Sequence, residues 1–251
     1  MATHGIDLSG HVACVTGASS GLGRRSAELL AAAGAQVVAI ARRAAALDDL
    51  AAGADGAIAP LPFDLTDRDR LSDCAAAAAK PFGAPDIVVH AAGVNTREPA
   101  DEITPEGWDT TLTLNLSVPF FLSQALVPAM RARGWGRIVN FASLQSYRAF
   151  PGGLAYGASK GGVAQMTRAM AQAWSRDGIN ANAIGPGFFR TELTEAVFAD
   201  PNRAARNAAQ TCIGRNGEPA DLDGPLLFLC SDLSAYVTGQ ILMVDGGFTA
   251  T

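Results

Sequence analysis

Residues 11–43, HVACVTGASSGLGRRSAELLAAAGAQVVAIARR, hold the pattern on which the fold turns. A short β-branched run, HVACVT from His11, leads into a glycine-rich stretch. An Ala- and Leu-rich segment of helical character follows, and then a second strand-like run, AQVVAI from Ala35. Strand, glycine turn, helix, strand is the order of a parallel crossover, which is right-handed and lays its helix on one face of the sheet. Within the turn, Gly17, Gly21 and Gly23 stand in a GxxxGxG spacing. Glycines there let the backbone bend sharply and approach a pyrophosphate, whose charge is met by open N–H groups at the helix start. A plain strand-to-helix turn is the alternative, and the position between strand and helix favours the phosphate cradle.

The alternation continues through the chain. AIAPLPF from Ala57, DIVVH from Asp86, GRIVNFA from Gly136, INANAI from Ile179 and QILMVD from Gln240 bring the strands to seven, separated by helix-like stretches. The sequence therefore predicts an α/β fold with a single doubly wound domain over residues 1–251. Its seven-stranded parallel sheet carries helices on both faces. Thr104 before Pro105 and Glu218 before Pro219 mark helix starts, since proline is tolerated at the first helical position. The tract Ala75 to Ala79 reads as helix, alanine being the best helix former. The region of about 187–217 breaks the rhythm with FFRTELTEAVF and no strand pattern, and is expected to form a small helical substrate flap.

Twenty-four acidic and 19 basic residues leave a net charge of −5, which argues against nucleic acid as a partner. At 49% hydrophobic and 17% charged the composition is that of a compact globular protein. The opening MATHGIDLSG lacks the basic-then-apolar pattern of a signal peptide, and no run of about 18 apolar residues suggests a membrane span. A cytoplasmic protein without membrane contact is expected. Cys14, Cys74, Cys212 and Cys230 are far apart and His4, His11 and His90 show no ligand spacing, so neither a metal site nor a disulfide frame is expected.

An acid at the end of the second strand, roughly 20 residues after the glycines, would accept hydrogen bonds from the adenosine ribose of NAD. No acid occurs between Glu28 and Asp48; Arg42 and Arg43 stand there instead. A guanidinium meets a 2′-phosphate with bidentate geometry, which favours NADP(H), with Arg42 the better placed. The other reading has both arginines solvating a helix start. Asp64, in FDLT after the third strand, either accepts from an adenine amino group or caps the following turn. Tyr156 and Lys160, in AYGASK, share a helix face at i and i+4. A phenol of pKa about 10 becomes a usable acid–base group beside an ammonium, although such pairs also occur on plain helix surfaces.

TGASSGLG, Asn115 in LNLS, Ser143 at the end of GRIVNFAS and the Tyr156/Lys160 pair resemble the full signature of the short-chain dehydrogenase/reductase family. With Pro186, Gly187, Thr191 and VDGG from Val244, the resemblance covers essentially the whole chain. It implies a Rossmann-type fold in which Tyr156 exchanges a proton with a carbonyl or alcohol as hydride moves to or from a nicotinamide. Lys160 then lowers the tyrosine pKa and holds the nicotinamide ribose, Ser143 holds the substrate oxygen, and Asn115 positions a water joined to Lys160. It further implies Thr16, Gly17, Ser19, Ser20, Gly21 and Leu22 near the phosphates and Asp64 and Leu65 at the adenine. Ala92 and Gly93 fall beside the ribose, and Pro186, Gly187, Phe189 and Thr191 around the nicotinamide. A homotetramer, or a dimer, is implied as well. One departure stands out: the family's NNAG is here His90, Ala91, Ala92, Gly93. Two amides that brace the sheet centre are missing, and His90 either replaces part of that bonding or is a core histidine.

Within the family, GVNTREP, NFASLQS, NAIGPGFFRTEL and GRNGEPADLDGP are most similar to gluconate 5-dehydrogenases and related sugar-acid oxidoreductases. This similarity implies a small-molecule substrate such as gluconate and its 5-keto product. Arg97 then faces the carboxylate, unless it only solvates a loop rim, and Ser143, Gln145 and Tyr156 contact the substrate. Arg148 and Arg190 are further candidates. Phe188, Phe189, Val197 and Phe198 leave open a 3-oxoacyl thioester or a broad range of ketones. A non-catalytic NADP(H)-binding sensor is the reading from another class, disfavoured because all four catalytic positions are kept.

Overall fold

The computed structural model describes residues 5–250; His4 and the rest of the opening tetrapeptide, and Thr251, lie outside them. The strands are β1 (Val12–Thr16), β2 (Gln36–Ala41), β3 (Ile58–Pro62), β4 (Ile87–His90), β5 (Gly136–Phe141), β6 (Ile179–Pro186) and β7 (Ile241–Val244). Each falls where the sequence pattern put it, and all pair in parallel in the order β3-β2-β1-β4-β5-β6-β7. The helices are α1 (Gly21–Ala32), α2 (Ala44–Ala52), α3 (Leu71–Ala78), α4 (Pro105–Leu112), α5 (Val118–Arg133), α6 (Leu154–Trp174), α7 (Glu195–Phe198), α8 (Pro201–Ala209) and α9 (Asp223–Cys230).

Successive strand residues feed opposite layers, as the period of two requires. On one face Val37, Val89 and Val139 meet Leu29 and Leu30 of α1, Leu47 of α2 and Leu226 of α9. On the other, Val38, Val88 and Ile138 meet Cys74 of α3, Leu122 and Met130 of α5 and Met170 of α6. With both faces covered, β1, β4 and β5 are buried along their whole length, which is why β1 and β4 read as near-continuous apolar runs rather than alternating ones.

Strand order creates the site. The chain lays β2 and β3 on one side of β1, then crosses to put β4 on the other, so Thr16 at the end of β1 pairs with Ile40 on one side and His90 on the other. In open α/β sheets, ligands bind in the crevice outside the strand C-termini at such a reversal.

Thr104 caps α4, its Oγ1 accepting from the Gly107 N–H at 3.0 Å with Pro105 in the first turn. At Glu218 the start is a 3₁₀ turn, Pro219–Leu222, in which the Asp221 carboxylate accepts from the Glu218 N–H at 2.8 Å before α9 begins. A single π turn, Thr113–Ser117, joins α4 to α5. The resulting helix 105–133 is long and apolar enough by composition to cross a membrane, yet Val118, Leu122, Leu126 and Met130 pack it into the core. The stretch 187–217 is helical as expected, with α7 and α8 closed off by a bridge between Phe189 and Gly217. His90 is a buried core residue: Nε2 pairs with Ser123 Oγ at 2.8 Å while Nδ1 has no partner. Burial pushes its imidazole pKa down to about 3, so it is neutral. Among the described residues no cluster of three or more metal-ligating side chains occurs, and the four cysteines are free.

Candidate active site

A cavity of about 640 Å³ opens at the β1/β4 reversal. Its floor is the glycine loop. Gly17 has φ +70°, and a Cβ there would lie 2.7 Å from the Ala92 backbone N, so only glycine lets the loops after β1 and β4 approach this closely. A Cβ on Gly23 would collide with the Gly17 carbonyl. Ser20 then caps α1 in extended conformation, with no acid in the helix's first turn. The helix contributes no acid of its own there, and its positive end suits an anion.

The cavity is lined by Gly17, Ser19, Ser20, Gly21, Leu22, Arg42, Arg43, Asp64, Leu65, Ala92, Gly93, Pro186, Gly187, Phe189 and Thr191, all expected from the sequence. Thr16 is the correction. It is 1% exposed and its hydroxyl accepts from the Ala92 N–H at 3.2 Å, supporting the loop from behind rather than lining it. The two arginines also differ. Arg43 is tied to Ser19 and Glu192, whereas Arg42 is exposed at the cavity and acts on Asp64 only through its charge. Asp64 makes the turn that was one of its two readings: Oδ1 accepts from the Thr66 N–H at 3.0 Å and from its hydroxyl at 2.8 Å. Those bonds hold its pKa below the ordinary carboxylate value.

At the other end of the cavity stand Ser143, Tyr156 and Lys160. Ser143 ends the segment after β5 in extended backbone and accepts from the Gln145 N–H at 3.1 Å, while the Ser146 hydroxyl donates to the Lys160 carbonyl at 2.8 Å. The turn after β5 is thus pinned to the first turns of α6. Burial raises the Tyr156 pKa, opposed by its hydrogen bond with Ser143 and by the charge of Arg97. Lys160 is anchored to the end of β5. Its Nζ donates to the Phe141 carbonyl at 2.6 Å and lies 5.6 Å from the Tyr156 ring centroid. Burial pushes Lys160 itself down to about 8. Asn115 lies behind the cavity, 1% exposed in the π turn. Its Oδ1 accepts from the Val94 N–H at 2.8 Å, and its Nδ2 donates to the Val94 carbonyl at 2.9 Å and Ser159 Oγ at 3.0 Å. It braces the loop after β4 against α6.

Arg97 lines the cavity in a left-handed conformation, φ 58°, that favours glycine. Its N–H donates to Asn95 Oδ1 at 3.2 Å, and its guanidinium donates to the Leu193 carbonyl at 2.6 Å. The loop after β4 is thereby joined to the flap. Gln145 Oε1 is buried without a partner over Gly153 and Gly157, leaving an acceptor to be satisfied within the cavity wall. Arg148 and Arg190 are not in this cavity. Arg148 lies over the Phe248 ring at 5.6 Å beside a neighbouring hollow, and Arg190 lies over Phe198 at 5.1 Å. Sequence reasoning missed Phe150, Glu192, Leu193 and Arg203, which also line it. Glu192, Leu193 and Arg203 carried only the signal of lying in the flap, and Phe150 carried none.

A family model described as Enoyl-(Acyl carrier protein) reductase matches residues 17–249, from the glycine loop through the last strand. The chain is a short-chain dehydrogenase/reductase. As a member it is an oxidoreductase acting between alcohols and ketones. This short-chain dehydrogenase/reductase is 42% identical over 249 residues to the gluconate 5-dehydrogenase of Gluconobacter oxydans (strain 621H), covering 98% of this chain and 97% of that one. It is 39% identical over 256 residues to the 2-dehydro-3-deoxy-D-gluconate 5-dehydrogenase of Escherichia coli (strain K12), covering all of both. A crystal structure of a gluconate 5-dehydrogenase from Burkholderia cenocepacia J2315, in complex with NADP and tartrate, superposes with a TM-score of 0.93 at 35% identity over 100% of both chains.

Proposed function

We propose that the chain is an NADP(H)-dependent oxidoreductase that interconverts a secondary alcohol and a ketone on a sugar acid such as gluconate and its 5-keto product. The observation that carries this reading is the half-buried Tyr156 phenol, hydrogen-bonded with Ser143 and acted on by Arg97, at the far end of a cleft whose near end is a glycine-lined phosphate cradle. The residues present fit the dinucleotide: Gly17 permits close backbone approach, the α1 start offers open N–H groups, and exposed Arg42 suits a 2′-phosphate. Asp64 and Leu65 would border the adenine, and Lys160 with Pro186, Gly187, Phe189 and Thr191 the nicotinamide ribose and ring. When bound, the cofactor supplies the hydride.

In the reducing direction Tyr156 gives its phenolic proton to the substrate oxygen and is left as phenolate. Ser143 donates to the same oxygen. The developing oxyanion is thus met by donors already in place, which strengthen as its charge grows. Oxidation reverses the proton's path. Arg97 would hold the substrate carboxylate, with Gln145 beside it in the cavity lining. Asn115 acts by holding the loop that frames this end of the cavity.

One observation favours a second reading. Phe150 and Phe188 meet edge to face at 6.0 Å and both line the cavity, an apolar wall suited to a 3-oxoacyl thioester or a hydrophobic ketone. A coupled panel of sugar acids, acyl thioesters and aryl ketones with NADP(H) separates them. Turnover of gluconate or 5-ketogluconate is expected, and sugar acids left inert while apolar ketones react would reverse the assignment. A cytoplasmic location accords with three buried free thiols. A homotetramer, or a dimer, accords with exposed Phe121 on α5 and exposed Leu233, Tyr236 and Leu242 around β7.

A further inference from the structure

Side chains from three distant parts of the chain meet above the first turn of α1. The Glu192 carboxylate, at the entry to the flap, accepts from Arg43 Nη1 at 2.9 Å, from Arg43 Nη2 at 3.0 Å and from Ser20 Oγ at 2.9 Å. Arg43 also donates through Nε and Nη2 to Ser19 Oγ, at 3.2 and 3.1 Å. Next to Glu192, Thr191 lies against the glycine loop: a Cβ on Gly21 would be 3.2 Å from the Thr191 Cβ. Ser20 is the N-cap of α1, yet its hydroxyl makes no capping bond; it serves Glu192. A carboxylate therefore stands at the positive end of a 12-residue helix, bidentate on an arginine. Phosphate groups take the same donors in the same way. Arg43 and Ser20 hold Glu192 below the usual carboxylate range, so it carries its charge at neutral pH.

We propose that Glu192 is an internal anion that competes with the cofactor's phosphates for Arg43 and Ser20, so that cofactor binding and release of the flap from the phosphate loop are one event. Two anions cannot share these donors, because the arriving phosphate repels the carboxylate it approaches. The inference rests on the NADP(H) reading. NADPH contests Glu192 at both ends, its pyrophosphate at Ser20 and its 2′-phosphate at Arg43, whereas NADH contests it only at Ser20. The pair is well exposed, 51% for Arg43 and 61% for Glu192. Solvent screening therefore limits the competition to a factor of about 2 to 5 in affinity.

Calorimetric titration of the full chain tests this. Glu192→Gln keeps the shape, removes the charge, and sits too far out to disturb folding. It is expected to lower the NADPH dissociation constant about 2- to 5-fold and the NADH constant by less. Arg43→Gln is expected to cost more NADPH affinity in the Glu192→Gln background than in the wild type, because Arg43 is then free for the phosphate. Wild-type protein that fails to bind NADPH would overturn the cofactor reading and this inference with it. Wild-type binding with an unchanged or raised NADPH constant in Glu192→Gln would overturn this inference alone.

Discussion

Replacing Lys160 by methionine is expected to stabilise the cofactor-free protein while removing its activity. Lys160 is 4% exposed, and burial lowers its pKa from 10.5 to about 8. A shift of that size, at about 1.4 kcal/mol per unit, means that folding charges the protein about 3 kcal/mol for holding an ammonium in its interior. The penalty is present in full below about pH 8. It disappears as pH rises from there towards 10.5, where the unfolded chain still binds the proton that the folded one has released. Methionine matches the length and carries no charge, but it deprives the Phe141 carbonyl of its 2.6 Å donor, a loss of about 1–3 kcal/mol. The balance at pH 7 is a gain of up to about 2 kcal/mol, or a rise in Tm of up to about 8 °C for a chain of this size. Urea unfolding of both proteins at pH 7 and pH 10 measures it, and the advantage of Lys160→Met should shrink at the higher pH. A variant less stable than wild type by more than about 1 kcal/mol at pH 7, or a difference unchanged with pH, would refute the reasoning. Turnover should fall by about 100-fold, the scale of misplacing the reacting atoms, because the ammonium that would hold the nicotinamide ribose is gone.

Arg42→Asp places a carboxylate where the 2′-phosphate is proposed to lie. The ratio of kcat/KM with NADPH to that with NADH should fall by at least about 10-fold, and an unmoved ratio would remove Arg42 from the account. Arg97→Gln should raise KM for a sugar acid by about 10-fold or more while leaving an uncharged ketone within about 3-fold, since a lost charge-assisted contact to a carboxylate is worth about 1.5–3 kcal/mol; equal effects on both substrates would point to loss of the Leu193 tether instead.

The sheet was legible because its signals are local. β1 and β4 are short runs that are apolar on both sides because both faces are buried, and the GxxxGxG turn needs its glycines wherever backbones nearly touch, as Gly17 and Ala92 do. Helix starts were legible for the same reason, Thr104 capping α4 with its own side chain. What escaped depends on long-range contact. Glu192 and Ser20 are 172 residues apart, and nothing beside either one announces the other. Tyr156 and Lys160 were found by their spacing, but spacing does not report that the ammonium donates to the Phe141 carbonyl or that Ser143 and Arg97 also reach the phenol. Thr16 was expected among the phosphates from the family resemblance alone; its hydroxyl accepts from the Ala92 N–H. His90 shows how a departure from a family pattern is absorbed: one ring nitrogen pairs with Ser123, and the other stays neutral and unpaired in the core.

The central claim is that Tyr156 carries the proton in an NADP(H)-linked exchange between an alcohol and a ketone. The most direct test compares wild-type protein with Tyr156→Phe, measuring NADP⁺-dependent oxidation of gluconate and the dissociation constant for NADPH in the same preparations. Turnover in Tyr156→Phe is predicted to fall by about 100-fold or more, with NADPH affinity changed by less than about 3-fold. Turnover retained in Tyr156→Phe, alongside normal NADPH binding, would contradict the account.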